Sequence, residues 1–161
     1  MRVATLCLLA AATSGCTNIL VSKGASADGS TILAYNADDD TLFGSLDLRP
    51  AADHAPGSLR EIWDWDGQYF CGRIPEVAHT YNVVGNVNEM GVIITETTFG
   101  GRGDLNGHGT GAIMSYGDLI WTTLSRAATA REAIAIMDNR AYSRAGENGR
   151  AASPATPLPP Q

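Results

Sequence analysis

Two β-rich runs, residues 17–21 and 31–35, are joined by the short polar segment SKGASADGS. Asp28-Gly29 within it is a turn dipeptide, because glycine accepts the left-handed backbone that a tight reversal needs. The runs therefore predict an antiparallel hairpin. This pairing constrains the chain more than any other feature. It sets a period of two on the residues that directly follow Cys16, and a one-residue slip would exchange its faces.

Residues 81–87 and 92–98 predict a second hairpin, with Asn88-Glu89-Met90-Gly91 as its turn and Thr95, Thr97 and Thr98 raising β propensity in its second arm. An acidic stretch, residues 36–40, and a long irregular region rich in Pro, Gly and Asp separate the two. Within that region Ile62-Trp63-Asp64-Trp65, ending at Asp66-Gly67, suits a half-buried strand and a turn. Helical signals come only afterwards. Gly117-Asp118 opens a helix carrying Leu119, Ile120 and Leu124. Thr129 and Glu132 make a capping box for a second helix, with Ile134 and Met137 three apart. Hairpins first and helices after them predict an α+β fold, with helices segregated onto antiparallel sheet.

The length, 161 residues, suits one domain of ordinary size, and 44% hydrophobic with 17% charged residues suits a globular one. A net charge of −6, with Lys23 the lone lysine, argues against a nucleic-acid partner. No stretch approaches the roughly 20 apolar residues of a membrane span. Residues 1–15, MRVATLCLLAAATSG, have the form of a signal peptide or propeptide: Arg2, an apolar run over residues 3–12, then the small residues Thr13 and Gly15. They predict a secreted or otherwise extracytoplasmic protein. Residues 140–161 turn Pro- and Ala-rich, lose all periodicity and are expected to be a disordered tail.

Removal of residues 1–15 would take Cys7 away and leave Cys16 and Cys71. Those two are open to a disulfide, or to one reactive thiol and one packed in the core. A cut after Gly15 would give Cys16 a free α-amino group beside its own thiol. With a thiol pKa of about 8.5 and an amine pKa of about 8, the neutral amine can serve as a local base. A structural thiol and a lipid-anchored cysteine are the other readings. His54, His79 and His108 are scattered, and nothing matches a zinc spacing. Asp38-Asp39-Asp40 lacks the rest of a calcium loop. The glycine-rich residues 100–111 lack a phosphate-loop register and suit a substrate-side loop. Arg102-Gly103-Asp104 spells an adhesion tripeptide by coincidence, and no GxSxG is present.

CTNILVSKGASADGSTILAYNADD resembles the mature start of the N-terminal-nucleophile dipeptidases, the dipeptidase A and secernin group. HTYNVVGNVNEMGVIITETTFGGR and GDLIWTTLSRAATAREAI extend the resemblance, in the family's order, to residue 139. The resemblance implies residues 16–139 as the N-terminal part of a dipeptidase domain in an αββα sandwich. It implies a cysteine peptidase hydrolysing dipeptides, without metal or organic cofactor. Cys16 would be nucleophile and α-amine base, Asp38 would hold the amine, and Thr98 would stand where relatives place an oxyanion-hole asparagine. Relatives often carry arginine where Tyr35 stands. Full members are several times longer, so the change of composition at residue 140 is expected to mark a truncated or frameshifted end. The alternative expectation is an inactive secreted or lipid-anchored fragment that acts as a binding module.

Overall fold

Strands β1 (Thr17–Val21) and β2 (Ile32–Asn36) pair antiparallel, with Thr17 opposite Asn36 and Val21 opposite Ile32. This is the hairpin the sequence predicts. The structure, a computed structural model, describes residues 16–38, 43–64, 69–97 and 113–138. Gly29 takes φ +75° in the connection, where a side chain would be strained. Asp28 braces the same turn by accepting from the Ser30 amide at 3.0 Å and the Ser30 hydroxyl at 2.6 Å. Those bonds hold its carboxyl below the usual range. The hairpin belongs to one of two compact units, made of Met1–Phe43 and Thr97–Phe99.

The other unit comprises Gly44–Glu96 and Gly100–Gln161. Its strands are β3 (Leu48–Arg49), β4 (Ala52–Asp53), β5 (Leu59–Trp63), β6 (Phe70–Pro75), β7 (His79–Thr80), β8 (Val83–Val84) and β9 (Val87–Asn88). All pairing is antiparallel: β3-β8-β9 form one sheet, β4 pairs with β7, and β5 with β6. Two helices follow among the described residues, α1 (Tyr116–Leu124) and α2 (Ala130–Asp138). Mixed antiparallel strands and helices make an α+β arrangement.

The second predicted hairpin is corrected. Its first arm reverses early, at Gly85-Asn86, where Gly85 adopts φ +54° and β8 turns directly into β9. A second reversal follows, with the Asn88 amide donating to the Val92 carbonyl at 3.0 Å. The expected second arm is reduced to a single bridge between Val87 and Ile93. A strand is also seen where Ile62-Trp63 predicted one, but it begins at Leu59 and pairs with β6. Residues 65–68, which carry the expected turn, lie outside the described residues.

Asn88 locks the double reversal to α1. Its side-chain amide nitrogen donates to the Leu124 and Ala127 carbonyls, both at 2.7 Å. Its side-chain oxygen accepts from the Met90 amide at 3.1 Å and the Val92 amide at 2.9 Å. An asparagine amide offers two donors and two lone pairs, so its capacity is fully used in a site only 4% exposed. The apolar core sits beside it: Val83, Val92, Ile120, Trp121, Leu124, Ala127 and Ala133 are buried together. Burying a side chain such as Leu124 contributes about 1.5–3 kcal/mol. A smaller cluster joins Ile62 and Ile74 to Ile113. A Cβ at Gly72 would make only an ordinary contact, 3.4 Å from the Ile113 methyl, so the backbone at φ +156° rather than space favours glycine there.

Both helices start as the sequence indicates. Ser115 precedes α1 in extended backbone, although its hydroxyl bonds Asp118 at 3.1 Å instead of a backbone amide. Thr129 accepts from the Glu132 amide at 3.2 Å, and Glu132 reaches back to the Ala128 amide at 2.8 Å. The return arm of this capping box is thus displaced by one residue. The expected apolar pair of α2 is also corrected. Ile134 is 68% exposed, whereas Ala133, Ile136 and Met137 face the core at the i, i+3, i+4 spacing of one helical face.

Asn88→Ala should destabilise the protein by about 2–4 kcal/mol, because two buried carbonyls and two amides lose their partner. Asn88→Asp should fail similarly by setting a carboxylate against the two carbonyls, while Met90→Ala on the exposed rim should change stability by about 0.5 kcal/mol or less. Urea midpoints followed by tryptophan fluorescence check this; equal midpoints for Asn88→Ala and Met90→Ala would contradict it.

Candidate active site

Strand parity distributes the functional side chains at the open end of the first hairpin. Thr17 is paired with Asn36, so these two share a face, and the alternation carries Asp38 onto the same side. Extended one residue back, it puts Cys16 on the opposite face with Asn18 and Tyr35, which are themselves a register pair. The side-chain contacts follow this division. On one face the Thr17 hydroxyl donates to the Asp38 carboxylate at 2.6 Å, and the Asn36 amide donates to its other oxygen. On the other face the Cys16 sulfur lies 3.4 Å from the Tyr35 hydroxyl, a hydrogen bond in which either group can donate.

Cys16 and Tyr35 are half-buried, whereas Asp38 is exposed. The Thr17 hydroxyl, and then the Asn36 amide, hold the Asp38 carboxyl below the usual carboxylate range. Both donors favour the charged form, so Asp38 is ionised at neutral pH. A further tie involves the backbone: the Thr97 hydroxyl donates to the Cys16 carbonyl at 3.5 Å. One residue thus brings its thiol to Tyr35 and its carbonyl to Thr97, while its neighbour Thr17 fixes a carboxylate. That arrangement can present a nucleophilic sulfur on one face and a fixed negative charge on the other.

Of the residues named from the sequence, Cys16 and Asp38 lie at this end of the ladder, on opposite faces. Thr98 lies outside the described residues, as do Asp39, Asp40, His108 and the glycine-rich residues 100–111. The sequence argument did not single out Thr17, Asn36 or Thr97. For the first two the signal was present, since residues 17, 36 and 38 fall on one parity once the hairpin register is drawn. Thr97 comes from distant sequence, and no local pattern reports it.

The described cysteines are both thiols and not a disulfide. Cys71 packs against the Ile62, Ile74 and Ile113 cluster, and burial, with the Asp64 charge behind it, pushes its thiol up. That environment makes Cys71 a poor nucleophile. His54 and His79 serve cross-strand contacts, His54 to Thr80 at 3.0 Å and His79 to Asp53 at 2.7 Å. Among the described residues no three His, Cys, Asp or Glu side chains converge as metal ligands. Nor is any described helix long and apolar enough to cross a membrane. The second unit contains a cavity of about 390 Å³ lined by Arg49, Arg60, Glu76 and Asp118 among others, with none of the Cys16 cluster in its wall. Its acidic groups are engaged: Glu76 pairs with Arg126 at 2.8 Å and Asp118 with Ser115.

The strand pair, the half-buried thiol at its start and the carboxylate beyond its end all fall in one short segment. Residues 15–54 match the model of peptidase family C69, the dipeptidase A family. The C69 match begins one residue before Cys16 and takes in β1, β2 and Asp38. It agrees with the resemblance drawn from CTNILVSKGASADGSTILAYNADD. No curated protein and no solved structure matches the chain.

Thr17→Val should raise the Asp38 carboxyl toward its ordinary value, since it removes the stronger of the two donors to the charged form. The sign follows from linkage. A carboxyl that titrates lower when folded adds stability at neutral pH, and that stability is lost as pH falls through the folded value. A side-chain NMR titration of Asp38 measures the shift, and identical midpoints in the two proteins would contradict the assignment.

Proposed function

We propose that the chain is an N-terminal-nucleophile cysteine peptidase of the C69 type, hydrolysing dipeptides through Cys16. The observation that carries this reading is the position of Cys16. It stands at the head of β1, its sulfur is held at the Tyr35 hydroxyl, an ionised Asp38 is fixed by the adjacent Thr17, and all four residues lie in the C69 match.

Cleavage after Gly15 converts the Cys16 amide nitrogen into an α-amine. The neutral amine accepts the thiol proton, and the sulfur attacks the carbonyl carbon of the peptide bond. The tetrahedral intermediate collapses as the ammonium returns its proton to the leaving amine, leaving an acyl thioester on Cys16. Water then attacks the thioester with the amine again as base, releasing the acid and restoring the thiol. Asp38, the candidate from the family resemblance, would hold the α-ammonium by charge. The oxyanion is stabilised by backbone or hydroxyl donors, Thr98 being the candidate from the family resemblance.

Residues 1–15 then act as the signal or propeptide whose loss creates the amine, and the protein works outside the cytoplasm. The complete fold in this reading is the αββα sandwich that the resemblance implies. The substrate class is small peptides, a reading supported by the match to peptidase family C69.

The test compares dipeptide turnover by the chain beginning at Cys16, by its Cys16→Ala variant, and by the chain with Gly15 retained. Both altered proteins should lose about 10⁴-fold or more in kcat, because nucleophile and base act as a unit. Undiminished turnover in Cys16→Ala overturns the proposal. Undiminished turnover with Gly15 retained overturns the role of the amine.

A further inference from the structure

We propose that Tyr35 is a positioning residue for the nucleophile, its hydroxyl donating the hydrogen bond that holds the Cys16 sulfur and favours its thiolate. The inference rests on Cys16 being the nucleophile and adds the group that prepares it. Three observations support it. The sulfur and the phenol oxygen are 3.4 Å apart, a normal separation for a bond to sulfur. Parity places both side chains on one face of the ladder, and the Asn18–Tyr35 register pair fixes that face. Both residues are half-buried, so water competes less for the sulfur than it would at a fully exposed cysteine.

The direction of the bond follows from protonation. A thiol can donate to the phenol or accept from it, but a thiolate can only accept. An ordinary phenol, with a pKa of about 10, keeps its proton through the range in which a thiol of about 8.5 ionises. Once the sulfur is charged, Tyr35 is therefore the donor, and a bond made to the charged form shifts the equilibrium toward it. The described charged side chains of this unit are Lys23, Asp28 and Asp38. Lys23 and Asp28 are in the connection at the far end of the hairpin, and Asp38 is on the other face with Thr17 and Asn36. Thr97 bonds the Cys16 carbonyl and is uncharged. In the processed chain the α-amine of Cys16 also acts on the thiol, equally with or without the phenol.

Tyr35 so used is a neutral donor. A neutral donor favours the thiolate less than a charged one, and it places no positive charge beside the substrate.

The experiment measures the rate of iodoacetamide alkylation of Cys16 against pH in the chain beginning at Cys16, in a Cys71→Ser background so that a single thiol reports. Tyr35→Phe should move the midpoint upward and lower the alkylation rate at pH 7 by about 10-fold, the effect of one charge-assisted hydrogen bond. Tyr35→Arg, which restores a donor and adds charge, should return the midpoint to the wild-type value or below it. Superimposable profiles for wild type and Tyr35→Phe overturn the proposal. A second measurement uses the unaltered side chain in case Tyr35→Phe does not fold. The Tyr35 ring resonances should shift with the same midpoint as Cys16 ionisation, and resonances that ignore that ionisation also overturn it. Alkylation reads the thiol whether or not peptide is turned over. A flat Tyr35 result beside an inactive Cys16→Ala therefore removes the role of Tyr35 and leaves the nucleophile standing.

Discussion

The register of the first hairpin is the constraint on which the site depends. With Thr17 opposite Asn36, parity sends Cys16 and Tyr35 to one face and Thr17, Asn36 and Asp38 to the other. Sulfur and carboxylate are thereby kept apart, although Cys16 lies one residue before β1 and Asp38 two residues beyond β2, at the same end of the ladder. A carboxylate on the same face would disfavour the thiolate by repulsion. On the opposite face it is held by the Thr17 hydroxyl and the Asn36 amide. A slip of one residue would exchange these faces and separate the sulfur from the phenol. Asp28 and Gly29, at the far end, resist that slip by fixing the turn.

The second unit depends on polar contacts of a different kind. Asn88 satisfies two amides of its own loop and two carbonyls at the end of α1, so a reversal of the chain and a helix terminus share one side chain. The Trp121 indole nitrogen adds a bond to the Gly85 carbonyl at 3.2 Å, and the Arg49 guanidinium lies 3.9 Å above the Trp121 ring. The Arg126–Glu76 pair, with side chains 3% and 8% exposed, reaches from the end of α1 to the end of β6, where Arg126 also donates to the Pro75 carbonyl. Breaking a pair so withdrawn from water would leave one buried charge uncompensated.

Local chemistry made part of this legible in the sequence. Asp28-Gly29 announced the first hairpin, and the starts of α1 and α2 were marked by Gly117-Asp118 and by Thr129 with Glu132. The two-residue strands β3, β4 and β7 carry no periodic signal, because a period needs more residues than they contain. They exist through pairing with distant segments. The second hairpin was misread because the valines and threonines of residues 81–98 report β propensity but not where the chain turns. Gly85 and the side chain of Asn88 decide that. Ile134 was misplaced for a related reason: a spacing of three fits more than one helical face, and contact with Val92 and Leu124 selects the one bearing Ala133. In the site, Cys16 and Asp38 were readable from the resemblance, while the Tyr35 contact and the Thr97 bond required the register and the tertiary fold.

The central claim is that the α-amine and thiol of Cys16 carry out peptide hydrolysis through a covalent intermediate. It is tested most directly by mixing the chain that begins at Cys16 with a dipeptide, quenching in acid during turnover and determining the mass of its N-terminal fragment. The account predicts that the fragment gains the mass of the acyl residue, held on the Cys16 sulfur as a thioester that hydroxylamine removes. Turnover with Cys16 unmodified and the acyl group on another residue would contradict it.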